Sequence, residues 1–161
     1  VAFFRHLGGK RRGGVEELRI LHRQLVGKDK EFDTPFFRDL GAKLDDRQAM
    51  LALVRKALAE ESYGGSADLA YLWTNVADAL GDADLAVATL RKDLEAKKGF
   101  KEGTMEQFPY VAFWNAPYSS MRAHPDYKRL LIQAGVADYW RHTGKWGDGC
   151  APLGKDDFEC R

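Results

Sequence analysis

A base, an acid and a nucleophile lie close together near one end of the chain: His142, Asp148 and Cys150. An imidazole beside a thiol can draw off its proton, and a carboxylate can orient that imidazole, which is the arrangement covalent catalysis needs. Here the three fall in the run His-Thr-Gly-Lys-Trp-Gly-Asp-Gly-Cys, which holds three glycines in nine residues. Such a run offers nothing rigid to hold a triad, so no catalytic residue is expected. The four histidines, His6, His22, His124 and His142, show no metal-ligand spacing with one another or with the cysteines, and neither a metal site nor a cofactor is expected. Gly8-Gly9 and Gly13-Gly14 flank Lys10-Arg11-Arg12. The Walker spacing is absent and no strand pattern leads in, so this segment reads as a turn between helices rather than a phosphate cradle.

The two cysteines admit a different chemistry. Cys150 and Cys160 are the only pair in the chain, with nine residues between them in a Gly- and Pro-containing stretch. They can close a small ring, worth roughly 2–3 kcal/mol in the chain-entropy model, or remain two free thiols. The lack of any other cysteine favours pairing, and an intact bridge favours an oxidising compartment.

Composition narrows the class. The 161 residues are 45% apolar and 30% charged with a net charge of +1, which suits one domain with a sizeable core. That balance carries no nucleic-acid footprint. No run of about 18 apolar residues exists, so nothing in the chain is expected to span a membrane. The chain begins at Val1 without a Met, and the expectation is a segment of a longer protein.

Helix signals dominate the elements that would position any site. Val15–Val26 places Val15, Leu18, Leu21 and Leu25 at spacings of three and four. Thr34 before Pro35 opens a second helix carrying Phe36, Phe37 and Leu40. Asp45 or Asp46 caps a long helix from Arg47 to about Glu61, with Met50, Leu51, Val54, Ala57 and Leu58 on its apolar face. Gly64-Gly65 ends it. Ser66 caps Ala67–Leu80, Gly81 stops it, and Asp82 caps Ala83–Lys97. Pro125 opens a further helix with Tyr127, Leu130 and Leu131 at core spacing, stopped by Gly135. Val136–His142 forms one more, and the stretch after it reads as loop. No sustained strand alternation appears.

A shift of 36 residues gives a weak self-match. Leu44 falls on Leu80, Asp46 on Asp82, Met50 on Ala86, Val54 on Leu90 and Leu58 on Leu94. Phe36-Phe37 falls on Leu72-Trp73, and Arg55-Lys56 on Arg91-Lys92. Each unit is a shorter helix, a tight turn and a longer helix. Such pairs stack to share a core that one pair cannot bury alone. The period and layout resemble the tetratricopeptide repeat, best over Ala67–Lys98, where Ala77, Gly81, Ala86 and Leu90 match. Thr74 and Asp93 depart from that pattern, since small residues are typical at both places. The resemblance implies an all-α, right-handed array of antiparallel helix pairs over residues 1–98, closed by an aromatic-rich helical cap and loop over 99–161 of the same domain. It also implies that the first helix of each pair lines a concave groove. Asp39 and Lys43 from the earlier unit, with Tyr71, Asn75 and Asp78 from the later one, are then the expected binding residues. An Asn with a Tyr and mixed charges can hold a peptide backbone or a chain terminus.

The end of the chain is dense in aromatics. Phe108, Phe113 and Trp114 would cover the last open repeat face, as a solenoid end requires. Trp114-x-x-Pro117, Met121-Arg122-x-x-Pro125-Asp126-Tyr127, Gly135-Val136-x-x-Tyr139-Trp140 and Gly144-Lys145-Trp146-x-Asp148-x-Cys150 together resemble the C-terminal end of tetratricopeptide domains in bacterial signalling proteins. Members carry the array behind winged-helix transcription regulators anchored by one membrane helix, or behind nucleotide cyclases. The resemblance covers about a third of the chain, and Gly147 departs where Pro is usual. It implies a non-catalytic interaction or sensor domain that takes a protein or peptide partner or a dimer contact, makes no nucleic-acid contact of its own, and meets a membrane only through an upstream anchor. The regulator type places it in the periplasm or otherwise outside the cytoplasm. The cyclase type makes it a cytoplasmic scaffold with free thiols.

Overall fold

The computed structural model describes residues 23, 33–64, 69–96, 119–147 and 149–161. The expected helix over Val15–Val26 apart from Arg23, the Ser66 cap, the aromatics from Phe108 to Trp114, Pro117 and Asp148 lie outside the described residues. Within them the chain is mostly helical. The elements are α1 (Pro35–Ala42), α2 (Arg47–Ala59), α3 (Glu61–Gly64), α4 (Ala70–Ala79), α5 (Ala83–Ala96), α6 (Ser119–Arg122), α7 (Pro125–Gln133), α8 (Val136–Thr143), β1 (Cys150–Leu153) and β2 (Asp157–Cys160).

Local chemistry sets the helix starts. The Thr34 hydroxyl accepts from the Phe37 N–H ahead of Pro35. Asp46, of the two candidates, caps α2 by accepting from Ala49 N–H at 2.9 Å, and Asp82 does the same for α5 from Leu85 N–H at 3.0 Å. The two caps are 36 residues apart and make the same bond, so the sequence repeat is a repeat of structural role. The apolar matches agree: Met50 and Ala86, Val54 and Leu90, Leu44 and Leu80 are all buried, as are Phe36-Phe37 and Leu72-Trp73. The Arg match extends further. Arg55 bonds the Asp82 carboxylate at 2.6 Å, and Arg91 bonds that of Asp126 at 3.3 Å. Each thus reaches the first turn of the next long helix.

The pairs pack in chain order, α1 on α2, α2 on α4, α4 on α5, and α5 on α6 and α7. One contiguous apolar cluster runs through them. Its first part centres on Phe36, whose ring lies edge-on to Phe37, Tyr63 and Trp73 at 5.1, 6.4 and 6.2 Å. Gly64 makes this packing possible: a Cβ there would strike Cζ2 of Trp73 and lie 2.8 Å from its Cη2. The expected single helix through Glu61 breaks at Glu60, and α3 folds Tyr63 back toward α1.

Thr74 and Asp93, the two departures from the repeat pattern, are both fully buried. Thr74 and Thr89, both fully buried, meet hydroxyl to hydroxyl at 2.9 Å between α4 and α5. With one proton each, one hydroxyl donates to the other, which in turn donates to a carbonyl of its own helix, that of Ala70 or of Leu85. At Thr74 a polar residue therefore stands where a small one is typical, and the hydrogen bond to Thr89 offsets the cost of burying it.

The C-terminal stretch expected as loop folds instead into an antiparallel hairpin. β1 and β2 pair Cys150 with Cys160 and Pro152 with Phe158. The cysteine sulfurs lie at bonding distance, 1.98 Å, across the open end. Phe158 is fully buried and carries the hairpin onto Trp140 and Trp146, at ring separations of 6.1 and 5.7 Å. Lys128 pairs with Asp157 and also stands 5.1 Å from the Phe158 ring. That ammonium, and the Phe158 N–H, hold the Asp157 carboxyl below the usual carboxylate range. On the outer margin of β1, Pro152 has no donor and the Cys150 N–H bonds Gly147 O, while the Arg161 N–H bonds Gly149 O across the ribbon in continuation of the ladder.

Candidate functional site

The five expected binding residues do not share one surface. Asp39 is exposed on α1, and its carboxylate accepts from the Tyr63 hydroxyl at 2.7 Å. Burial and that carboxylate together push the Tyr63 phenol above its ordinary range. Lys43 is exposed at the end of α1. Tyr71, Asn75 and Asp78 form a stripe along α4, at spacings of four and three, so their side chains neighbour one another on one face. Tyr71 is half-buried, Asn75 is 7% exposed and Asp78 is 1% exposed.

That burial reflects how α4 sits in the fold. Residues Leu72, Trp73, Thr74, Asn75, Val76, Ala77 and Asp78 are all buried, so the helix is enclosed nearly all round. The reading that put this stripe in an open groove took account of α4 and its neighbours alone. In the structure a segment more than 40 residues further along covers part of it. Asp78 Oδ1 accepts from the Ser120 hydroxyl at 2.5 Å and from the Met121 N–H at 2.9 Å. Met121 is fully buried beside it. Tyr127 completes this region; burial pushes its phenol up to about 12, with Arg122 opposing and Asp78 reinforcing the shift.

Asn75 differs from its neighbours. Both atoms of its amide are buried, and among the described residues neither the Nδ2 nor the Oδ1 has a hydrogen-bond partner. A buried primary amide offers two donors and two acceptor positions. Leaving a buried donor or acceptor unmade costs about 1–3 kcal/mol. The indole Nε1 of Trp73, two residues earlier, is likewise buried without a partner. Asn75 is therefore a polar group held inside the protein with its recognition chemistry unspent. The complement of a primary amide is a group that donates and accepts at once, and a peptide main chain is the commonest such group.

The other chemistry considered from the sequence comes out differently. The Cys150 sulfur lies at bonding distance from that of Cys160, the placement of a disulfide partner. His142 is exposed. His124, which sequence reasoning passed over, caps α7: its Nδ1 accepts from Asp126 N–H at 3.1 Å. The other nitrogen then carries the proton and donates to Asp84 at 2.9 Å, tying α7 to α5. The signal for this was available, since a side-chain acceptor directly before Pro125 is the same device as Thr34 before Pro35. Among the described residues no three His, Cys, Asp or Glu side chains gather as a metal site, and no helix is long and apolar enough to cross a membrane. Comparison with protein-family models, with curated proteins and with solved structures finds no match to this chain.

Proposed function

We propose that this chain is the protein-interaction or sensor portion of a larger bacterial regulator, and that Asn75 is the centre of its binding site. The helix pairs act as a short tetratricopeptide-like array. Asn75 grips the main chain of a peptide or protein partner, with Tyr71 and Asp78 on either side of it. The observation that carries this reading is the unpartnered, buried amide of Asn75. Native proteins leave few such groups, and a polar group that costs stability in the isolated chain suits a role met only on binding. The repetition of caps and core positions at 36 residues supports the array. The bonded cysteine pair favours a compartment outside the cytoplasm, as in a membrane-anchored transcription regulator.

Selection of random peptides displayed on phage against the intact chain tests the site. Peptides selected on the wild-type chain are expected to lose most of their affinity for an Asn75→Leu variant. Selected peptides that bind both chains equally would place the binding surface elsewhere.

A further inference from the structure

We infer that the binding stripe on α4 is occupied in cis by Ser120 and Met121, so that a partner binds by displacing this part of the chain. The inference rests on Asn75 and Asp78 belonging to one recognition face, and it adds the regulation of that face. Asp78 lies one turn beyond Asn75 on the same stripe. Its Oδ1 holds a hydroxyl and the next main-chain N–H, at 2.5 and 2.9 Å. Those two donors are what any Ser- or Thr-containing segment presents to a carboxylate. Met121 follows and is fully buried. The face thus already displays a recognition pattern: a hydroxyl residue, then a large apolar one.

The segment that supplies this pattern is weakly held by its own structure. α6 is four residues long, and a single helical turn has no independent stability. Its placement depends on what it touches, and the Asp78 carboxylate is a principal contact. Asn75 is 93% enclosed, so a partner's main chain reaches its amide only when adjoining chain moves aside. Among the described elements, α6 is the one bonded to the next turn of the same stripe, at Asp78. A partner offering a hydroxyl residue and an apolar residue to Asp78 and its pocket, with further main chain to Asn75, makes both sets of bonds at once. The chain's own segment makes one set. Self-occupation lowers apparent affinity by the fraction of molecules in which the face is open.

The test uses the intact chain and a fluorescein-labelled peptide of the sequence Pro-Tyr-Ser-Ser-Met-Arg-Ala-His, which is residues 117–124 presented in trans. Fluorescence anisotropy is expected to show weak binding to the wild-type chain. A Ser120→Ala chain loses one donor from the competing segment and is expected to bind the peptide about tenfold more tightly, since hydrogen bonds to charged groups are among the stronger ones. Ser120→Thr restores the hydroxyl and returns the affinity to the wild-type value. Asp78→Asn weakens binding to every chain that carries it. Circular dichroism establishes that each variant is folded. A folded Ser120→Ala chain that binds no more tightly than wild type, or no peptide binding to either chain up to millimolar concentration, overturns the cis-occupation. The Asn75 site is read separately, with peptides selected by phage display: if Asn75→Leu leaves their binding unchanged the proposed site fails, whereas a loss there without tightening in Ser120→Ala sinks only the displacement.

Discussion

Replacing Asn75 by Leu should make this protein more stable, the reverse of what most core substitutions do. The side chains share a branch point and differ little in bulk, so the change removes an amide and supplies two methyl groups. In the wild-type chain neither amide atom has a partner among the described residues, and the residue is 7% exposed. An unmade buried hydrogen bond costs about 1–3 kcal/mol. A near-isosteric exchange gives back less than about 1.5 kcal/mol through imperfect fit. The net gain is about 1–2 kcal/mol, which for a chain of this size raises Tm by roughly 2–8 °C. Thermal unfolding followed at 222 nm reads it directly, and Asn75→Asp serves as the opposite control. An ionised carboxylate enclosed there is expected to lower Tm. A Tm for Asn75→Leu below that of the wild type, with the helical spectrum intact, would mean that the amide is bonded within the folded chain. The proposed site would fall with it.

Three further outcomes follow from the packing. Gly64→Ala drives a methyl into the Trp73 ring and within 3.0 Å of Ala57 Cβ, and urea unfolding is expected to show a loss of about 1–3 kcal/mol; an unchanged midpoint would mean that Trp73 has room to move. Alkylation of the unreduced protein should add no label by intact mass, and reduction should lower stability by roughly 2–3 kcal/mol; two labels before reduction would show that the cysteines are free. Tyr127 keeps its proton more tightly when folded, at about 12 against an ordinary 10.0. Its contribution is therefore complete below pH 10 and is lost as pH rises from 10 through 12. Tyr127→Phe should flatten that part of the alkaline limb in urea midpoints, and an identical slope in both proteins would show that Tyr127 is not the group responsible.

The helical part of this fold was legible wherever a local bond decides the outcome. Thr34, Asp46 and Asp82 cap their helices through a hydrogen bond three residues long, and that range is visible in a short window. Gly81 and Gly135, read as stops, both take a positive φ. What escaped was non-local. The strands are four residues each, and β1 has a Pro and three consecutive exposed residues, so no alternation marks it. Its cues were the two cysteines and the Leu153-Gly154-Lys155-Asp156 stretch midway between them. The resemblance named Tyr71, Asn75 and Asp78 as groove residues, and on α4 they stand at spacings of four and three. It could not foresee that Ser120 and Met121, 42 and 43 residues beyond Asp78, would lie against that face. Nothing in a repeat pattern encodes which later segment returns to cover it.

The C-terminal hairpin bears on how the molecule meets its neighbours. A two-stranded ribbon has two raw margins, and each would ordinarily invite another strand to pair with it. Pro152 leaves a gap in one margin, and the N–H of Cys150 is turned to Gly147 O. The Arg161 N–H bonds Gly149 O across the ribbon and lengthens the ladder by one pair. A visiting strand would find few donors on the Pro152 margin. Strand addition is thereby discouraged on that side of the one sheet among the described residues. On its β1 side the tail thus carries its own protection against indiscriminate stacking.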